Sequence, residues 1–215
     1  YSNSIDAVKD LICKIIDTPT GNDYIEMRAK GFEEISPQRK YHGISTQIIA
    51  QIKNVRVPFN VDIGVGDIIV PRAEERTINT QLPDFEAPVI KTYSLESTIA
   101  EKFDAILQRF ELTGRMKDFY DIYYLSRTFN FEGAKLQAAI FETLQRRGTP
   151  YDRDSFKRVV ALGDDEDMQK RWKFFLKTIK DNTLEFSFII TEIQTFLEPV
   201  FDAIVNEKEW QEQWN

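Results

Sequence analysis

Between Ile44 and Val65 apolar residues recur at every second position, and from Leu95 onward they recur at every third or fourth. The first period is that of a half-covered strand and the second that of a helix with one buried stripe. A chain carrying both in succession has few architectures open to it. Ile44, Thr46, Ile48, Ala50 and Ile52 alternate with Ser45, Gln47, Gln51 and Lys53, and Val55, Val57, Phe59, Val61, Ile63 and Val65 resume the alternation beyond Lys53 and Asn54. An antiparallel hairpin is predicted.

Around that hairpin the remaining elements fall into place. Ser4 to Asp17 reads as an amphipathic helix with Ile5, Val8, Leu11, Ile12, Ile15 and Ile16 on its buried side. A strand is expected from Asp23 to about Glu34, a short one near Arg76 to Thr80 and another over Glu86 to Lys91. Helices are expected over Leu95 to Glu111, Arg115 to Arg127, Gly133 to Arg146, Ser155 to Ala161, Met168 to Lys180 and Leu184 to Val205. The expected fold class is α+β, with a mixed or antiparallel sheet in residues 1–92 and a helical part in residues 93–215.

Composition narrows the class of protein. The 215 residues are 42% apolar and carry a formal charge of −7, which suits a folded core and argues against indiscriminate nucleic-acid binding through bulk charge. DNA is not an expected partner. Cys13 is the single cysteine, so neither an intramolecular disulfide nor a zinc cluster is expected, and the cytoplasm is the natural compartment. No window is apolar for about eighteen residues, and the start does not read as a signal peptide, so no membrane association is expected. The chain begins at Tyr1, which is read as a segment of a longer chain or one whose beginning is not visible.

The stretch from Tyr93 to Leu125 carries charges that packing does not require. Ser94 can cap a helix whose stripe is Leu95, Ile99, Phe103, Ile106, Leu107 and Phe110, with Lys102 off its centre. After Thr113 and Gly114 a second helix buries Phe119, Ile122, Tyr123 and Ser126, leaving Lys117, Asp118 and Asp121 to point elsewhere. If the two helices pack together, Lys102 faces Asp118 and Asp121 across one cleft, as phosphate chemistry would want. The alternative is that these are ordinary solvated helix charges.

The pattern ES..AEKF.A.L.R followed by RMKDFYDIYYL resembles the two C-terminal motifs of the AbiEii/AbiGii family of bacterial nucleotidyltransferase toxins, distant relatives of the polymerase-beta-like nucleotidyltransferases. The likeness runs roughly from Asp23 to Trp172. It implies that Lys102 contacts the phosphates of a nucleoside triphosphate, that Asp118 is an active-site acid or base, and that Arg115, Lys117 and Asp121 support them. The segment FNVDIGVGD resembles the strand bearing a metal carboxylate, which makes Asp62 the candidate for Mg2+ and Asp67 its reserve. RNA, with tRNA foremost, is the implied acceptor, and a cognate antitoxin the implied protein partner in a toxin-antitoxin or abortive-infection system.

One family motif has no counterpart: no glycine-flanked DxD pair precedes the strands. A chain without it is expected to be incomplete or inactive alone. The competing reading is a non-catalytic nucleotide- or protein-binding module on a degenerate nucleotidyltransferase fold. A metal-dependent nuclease is a third.

Elsewhere the expectations are structural. His42, the only histidine, is read as a surface or structural residue, and the acidic run Asp164 to Asp167 as a helix start without the ligand pattern of a calcium loop. Arg146, Arg147, Arg153, Lys157, Arg158, Lys170, Arg171, Lys173 and Lys177 form either an RNA-facing surface or a plain charged exterior. Trp172, Phe174, Phe175 and Ile179 are assigned to the core in preference to a stacking platform.

Overall fold

A computed structural model describes residues 4–19, 24–35, 43–64, 69–180 and 183–214. His42, Gly66 and Asp67 lie outside the described residues. The chain divides into two compact units, Tyr1–Ile68 and Ile69–Asn215. The fold is α+β, with small antiparallel sheets and a large helical body.

In the first unit helix α1 (Ile5–Ile16) precedes strands β1 (Glu26–Ile35), β2 (Gly43–Ile52) and β3 (Val55–Gly64), which form an antiparallel sheet in the order β1-β2-β3. Ser4 caps α1 by accepting a hydrogen bond from Ala7 N at 3.2 Å. The predicted hairpin is present, with Ile52 paired to Val55 and Lys53 at φ 50° in the connecting turn. Val8 and Ile12 pack on Ile44 and Ile48, with Val61 and Ile63 beside them.

Two expectations for this unit are corrected. Leu11 and Ile15 are exposed rather than buried, because Val8 and Ile12 meet the sheet and the helical turn carries 11 and 15 to the flank. Likewise Val55, Val57 and Phe59 are exposed. Their register partners Ile52, Ala50 and Ile48 run from the hairpin tip to the edge of the patch that α1 covers, and that cover reaches Ile48 but not its partner Phe59.

The second unit opens with the antiparallel pair β4 (Glu74–Thr77) and β5 (Val89–Thr92). Helices α2 (Leu95–Arg109) and α3 (Met116–Thr128) follow, then strand β6 (Phe131–Glu132), helices α4 (Gly133–Arg147), α5 (Ser155–Ala161), α6 (Glu166–Ile179) and α7 (Phe186–Val205), and strand β7 (Gln213–Trp214). Helix α7 is the axis of the core. Ten of its residues, including Phe186, Ile189, Ile193 and Phe201, are buried, and Ser187, Thr191, Thr195 and Asp202 form a polar stripe toward solvent. Phe103 of α2, Phe156 of α5 and Phe201 of α7 place their rings 5.6–5.7 Å apart, and burying each contributes roughly 1.5–3 kcal/mol. Trp172 is in the core as expected, its indole N–H donating to Leu184 O at 2.9 Å.

The reading of the last third as wholly helical is corrected by β6 and β7, which pair Phe131 with Trp214. Gly133 makes the pairing possible. A Cβ there would sit 2.4 Å from Trp210 Cδ1 and 2.5 Å from Glu212 O, whereas Gly133 N donates to that carbonyl at 2.8 Å.

Candidate functional site

Helix α2 is aimed by its first turn. Ser94, fully buried, accepts from Ser97 N at 3.1 Å and donates to Val70 O at 2.9 Å. Ser97 in turn accepts from Val70 N at 2.9 Å and donates to Val70 O at 2.7 Å. Two hydroxyls thus fix the helix start against residue 70. Two turns further on, Ile99, Phe103, Ile106 and Leu107 enter the core, and Lys102 emerges beside them with its side chain 18% exposed.

Helix α2 ends where Phe110 takes φ 43°, and the chain passes through a 3-10 turn (Phe110–Leu112) into Thr113 and Gly114. The turn is held from outside. Arg171 donates through one guanidinium nitrogen to Glu111 O and Thr113 O, each at 2.8 Å, satisfying carbonyls that a helix end leaves unpaired. Thr113 Oγ1 then accepts from Arg115 N at 3.1 Å, and α3 begins. Asp118 falls in its first turn, where a carboxylate meets the positive end of the helix.

These constraints bring both charged motifs together. Lys102 Nζ lies 2.6 Å from Asp121 Oδ2 and 3.3 Å from Asp118 Oδ1. Arg115 Nε lies 2.6 Å from Asp118 Oδ2, outside hydrogen-bond alignment, so that buried oxygen has charge pairing but no hydrogen bond. Lys117 Nζ approaches Asp121 Oδ2 at 2.6 Å. Asp118 was expected to point away from the core; its side chain is 4% exposed, because its two cations receive it inside the α2/α3 seam. Three cations surround two carboxylates, an excess of one positive charge. Arg115 and Lys117, at 54% and 71% exposure, present it to solvent.

Such a cluster suits an anionic ligand. Phosphate oxygens can replace carboxylate oxygens on exposed cations at little cost, since exposed ion pairs are worth about 0–1 kcal/mol. It does not suit a divalent ion. Both carboxylates are already engaged by cations, and among the described residues no three of His, Cys, Asp and Glu gather as metal ligands. Asp62, expected as a metal carboxylate, stands in the other unit on β3, exposed, and accepts from Ser45 Oγ at 2.6 Å. Among the described residues it joins no group of three metal-ligand side chains.

A second polar group escaped the sequence reading. Asp104 is fully buried between α2 and α4, accepting from Gln108 Nε2 at 2.9 Å, from Arg147 at 3.3 Å and from Thr149 Oγ1. Arg147 also bonds Glu101, the neighbour of Lys102. The missed signal was spacing: Asp104 falls one turn from Ala100 and Leu107, a core position for an acid. Arg147 is therefore no part of a free basic surface. Arg158 is similarly committed, its guanidinium 3.8 Å above the Phe110 ring.

The cluster of Lys102, Arg115, Lys117, Asp118 and Asp121 thus carries one positive charge in excess, which an anion can answer. The chain belongs to the AbiEii family: the family model described as "Nucleotidyl transferase AbiEii toxin, Type IV TA system" matches residues 1–214. That makes it a member of a family of toxin nucleotidyltransferases, which implies a nucleoside triphosphate substrate, usually a divalent metal, and a cognate antitoxin. No curated protein matches. Among solved structures, JHP933 from Helicobacter pylori is 9% identical, with 84% of this chain and 67% of that chain covered and a TM-score of 0.39. A second H. pylori protein, described as a nucleotidyltransferase, is 10% identical over 86% of this chain and 71% of that one, with a TM-score of 0.38. Among the described residues, no helix is long and apolar enough to cross a membrane.

Proposed function

We propose that this protein transfers a nucleotidyl group from a nucleoside triphosphate to RNA, with tRNA the foremost acceptor, as a cytoplasmic toxin restrained by its antitoxin. The observation that carries the reading is the meeting of Lys102 with Asp118 and Asp121, which draws one cation and two acids from two separate sequence motifs. In this reading Lys102, Arg115 and Lys117 take the triphosphate oxygens. An acceptor hydroxyl oxygen attacks the α-phosphorus, the bond from that phosphorus to the bridging oxygen breaks, and pyrophosphate leaves against the cations. The hydroxyl proton passes to water. Asp118, buried and paired, aims Lys102 and Arg115; Asp121 holds Lys102 and Lys117 until the phosphates arrive.

No step is routed through a metal, because the cluster's donors do not fit one. Asp62 stays a candidate metal carboxylate on the strength of the resemblance alone. The lack of a glycine-flanked DxD pair supports weak transfer by this chain acting alone.

The test is incubation of the protein with tRNA and each α-labelled nucleoside triphosphate, alongside Lys102→Ala. Labelled, lengthened RNA that the variant does not produce supports the reading. Shortened RNA would point to a nuclease. A second reading is favoured by the engagement of both carboxylates with cations: a non-catalytic nucleotide-binding module. It predicts Lys102-dependent triphosphate binding with no label on any RNA.

A further inference from the structure

Beside the charged cluster, and wholly within the second unit, a cleft of about 550 Å³ runs between the start of α3 and the outer face of α6. Its lining includes Arg115, Lys117, Lys170 and Arg171, and contains no carboxylate residue. Three of these cations are paired with carboxylates that stand outside the lining, Arg115 with Asp118, Lys117 with Asp121 and Lys170 with Asp167. The cleft also has an aromatic wall. Phe174, assigned to the core from its sequence, is 72% exposed. Trp172 and Leu176 face inward, and Phe174, halfway between them, is turned to the opposite side of α6. Its neighbour Phe175 is occupied, with its ring 5.8 Å from Tyr120 and 5.3 Å from Trp172. Phe174 has no ring partner among the described residues.

We infer that this cleft binds an unpaired stretch of RNA, with a base stacked on Phe174 and its phosphates on Lys170, Lys117 and Arg115. The inference rests on the transferase reading for the choice of RNA, and extends it by naming where the acceptor strand lies. Each part of the cleft has its counterpart in single-stranded nucleic acid. An exposed ring offers a stacking platform that every base can use, but only if the base is free of its own helix. Lys170 pairs with Asp167 at 3.0 Å, both more than 70% exposed, a contact that phosphate oxygens displace readily. Arg171 is held by two carbonyls and serves as a fixed charge in the wall. The volume lies within the range of small-ligand sites, which suits about one or two nucleotides. Arg115 and Lys117 belong to both the cleft and the phosphate cluster, so a strand end seated on Phe174 lies next to the cations proposed to hold the triphosphate.

The experiment is fluorescence anisotropy of a 5′-labelled oligoadenylate RNA of about eight nucleotides against the full chain, with Phe174→Ala, Phe174→Trp and Lys170→Ala. Phe174 is largely exposed, and unchanged circular dichroism confirms that the variants fold. Phe174→Ala is expected to weaken binding about five- to hundredfold, and Phe174→Trp to restore it. Lys170→Ala should reduce the slope of log K against log salt by about 0.7. Binding unaffected by Phe174→Ala, a blunt RNA duplex that competes as well as the single strand, or ATP binding that depends on Phe174 while the oligonucleotide does not, would each overturn the inference. The two proposals fail separately. Phe174-dependent RNA binding keeps the cleft whether or not nucleotide is transferred; transfer with an unchanged KM for RNA in Phe174→Ala keeps the transferase and removes the cleft.

Discussion

Lys102 of α2 and Asp121 of α3 meet at 2.6 Å, and the same carboxylate oxygen of Asp121 also lies 2.6 Å from Lys117. One acid therefore spaces two cations that would otherwise repel, and holds them on one side of the helix pair. The arrangement decides how the site should respond to substitution.

Lys102→Met is expected to abolish most transfer while leaving the fold intact. Asp118 keeps Arg115 and Asp121 keeps Lys117, so no buried charge is left alone. Losing one preorganised charge at a reacting phosphate costs on the order of a hundredfold or more in kcat, whereas the melting temperature should fall by only a few degrees. A steady-state assay beside a thermal melt checks both halves. A melt that collapses with the activity would make Lys102 structural.

Asp104 should behave in the opposite way. Its carboxylate is fully buried and satisfies Gln108, Thr149 and Arg147. Asp104→Ala strands those donors and is expected to cost about 3–5 kcal/mol, read as a lower denaturant midpoint. Triphosphate binding by the surviving folded fraction should be near normal.

Gly133→Ala tests the strap formed by β7. The added methyl meets the Trp210 ring and the Glu212 carbonyl, so the strap must shift or detach, at a cost of about 1–3 kcal/mol. Detachment moves Trp210 and Trp214 toward water and should red-shift the tryptophan emission. An unchanged spectrum and melt would mean the strap gives way freely.

Acid titration offers a local check on α5. The Ser155 hydroxyl, first, and then Asp154 N hold the Asp152 carboxyl below its ordinary range. A carboxylate depressed in the folded state adds stability above its unfolded value, and that contribution fades as pH drops through the folded one. Ser155→Ala should therefore raise the Asp152 midpoint toward the ordinary value, as followed by carboxyl-carbon NMR. No movement would place the cause elsewhere.

Much of this molecule was legible from residue spacing where the determinants are local. The hairpin follows from alternation, and α5 from the short run over Ser155–Ala161. The acidic run starts a helix, as its composition predicts, with Asp165 capping α6 by accepting from Met168 N at 2.8 Å. What spacing did not reveal depends on neighbours distant in sequence. Phe131 and Trp214 pair across most of the second unit, and two-residue strands carry no period to detect. Leu11, Ile15 and Phe174 are apolar and helical, yet among the described residues they stay exposed, and hydrophobicity alone cannot tell a covered face from a bare one. At the site, the seam between Lys102 and the two aspartates was anticipated from two motifs on neighbouring helices, but the burial of Asp118 was not, since it depends on cations arriving from both helices.

The guanidinium of Arg171 reaches back 58 and 60 residues to grip the carbonyls of Thr113 and Glu111. A peptide excised from Leu95 to Thr128 would retain all five charged side chains yet lose the brace that orients them. Transplanting both motifs into another helical hairpin would lose the same brace, and a substitution at residue 171 is expected to disturb a cluster whose sequence motifs end before residue 126.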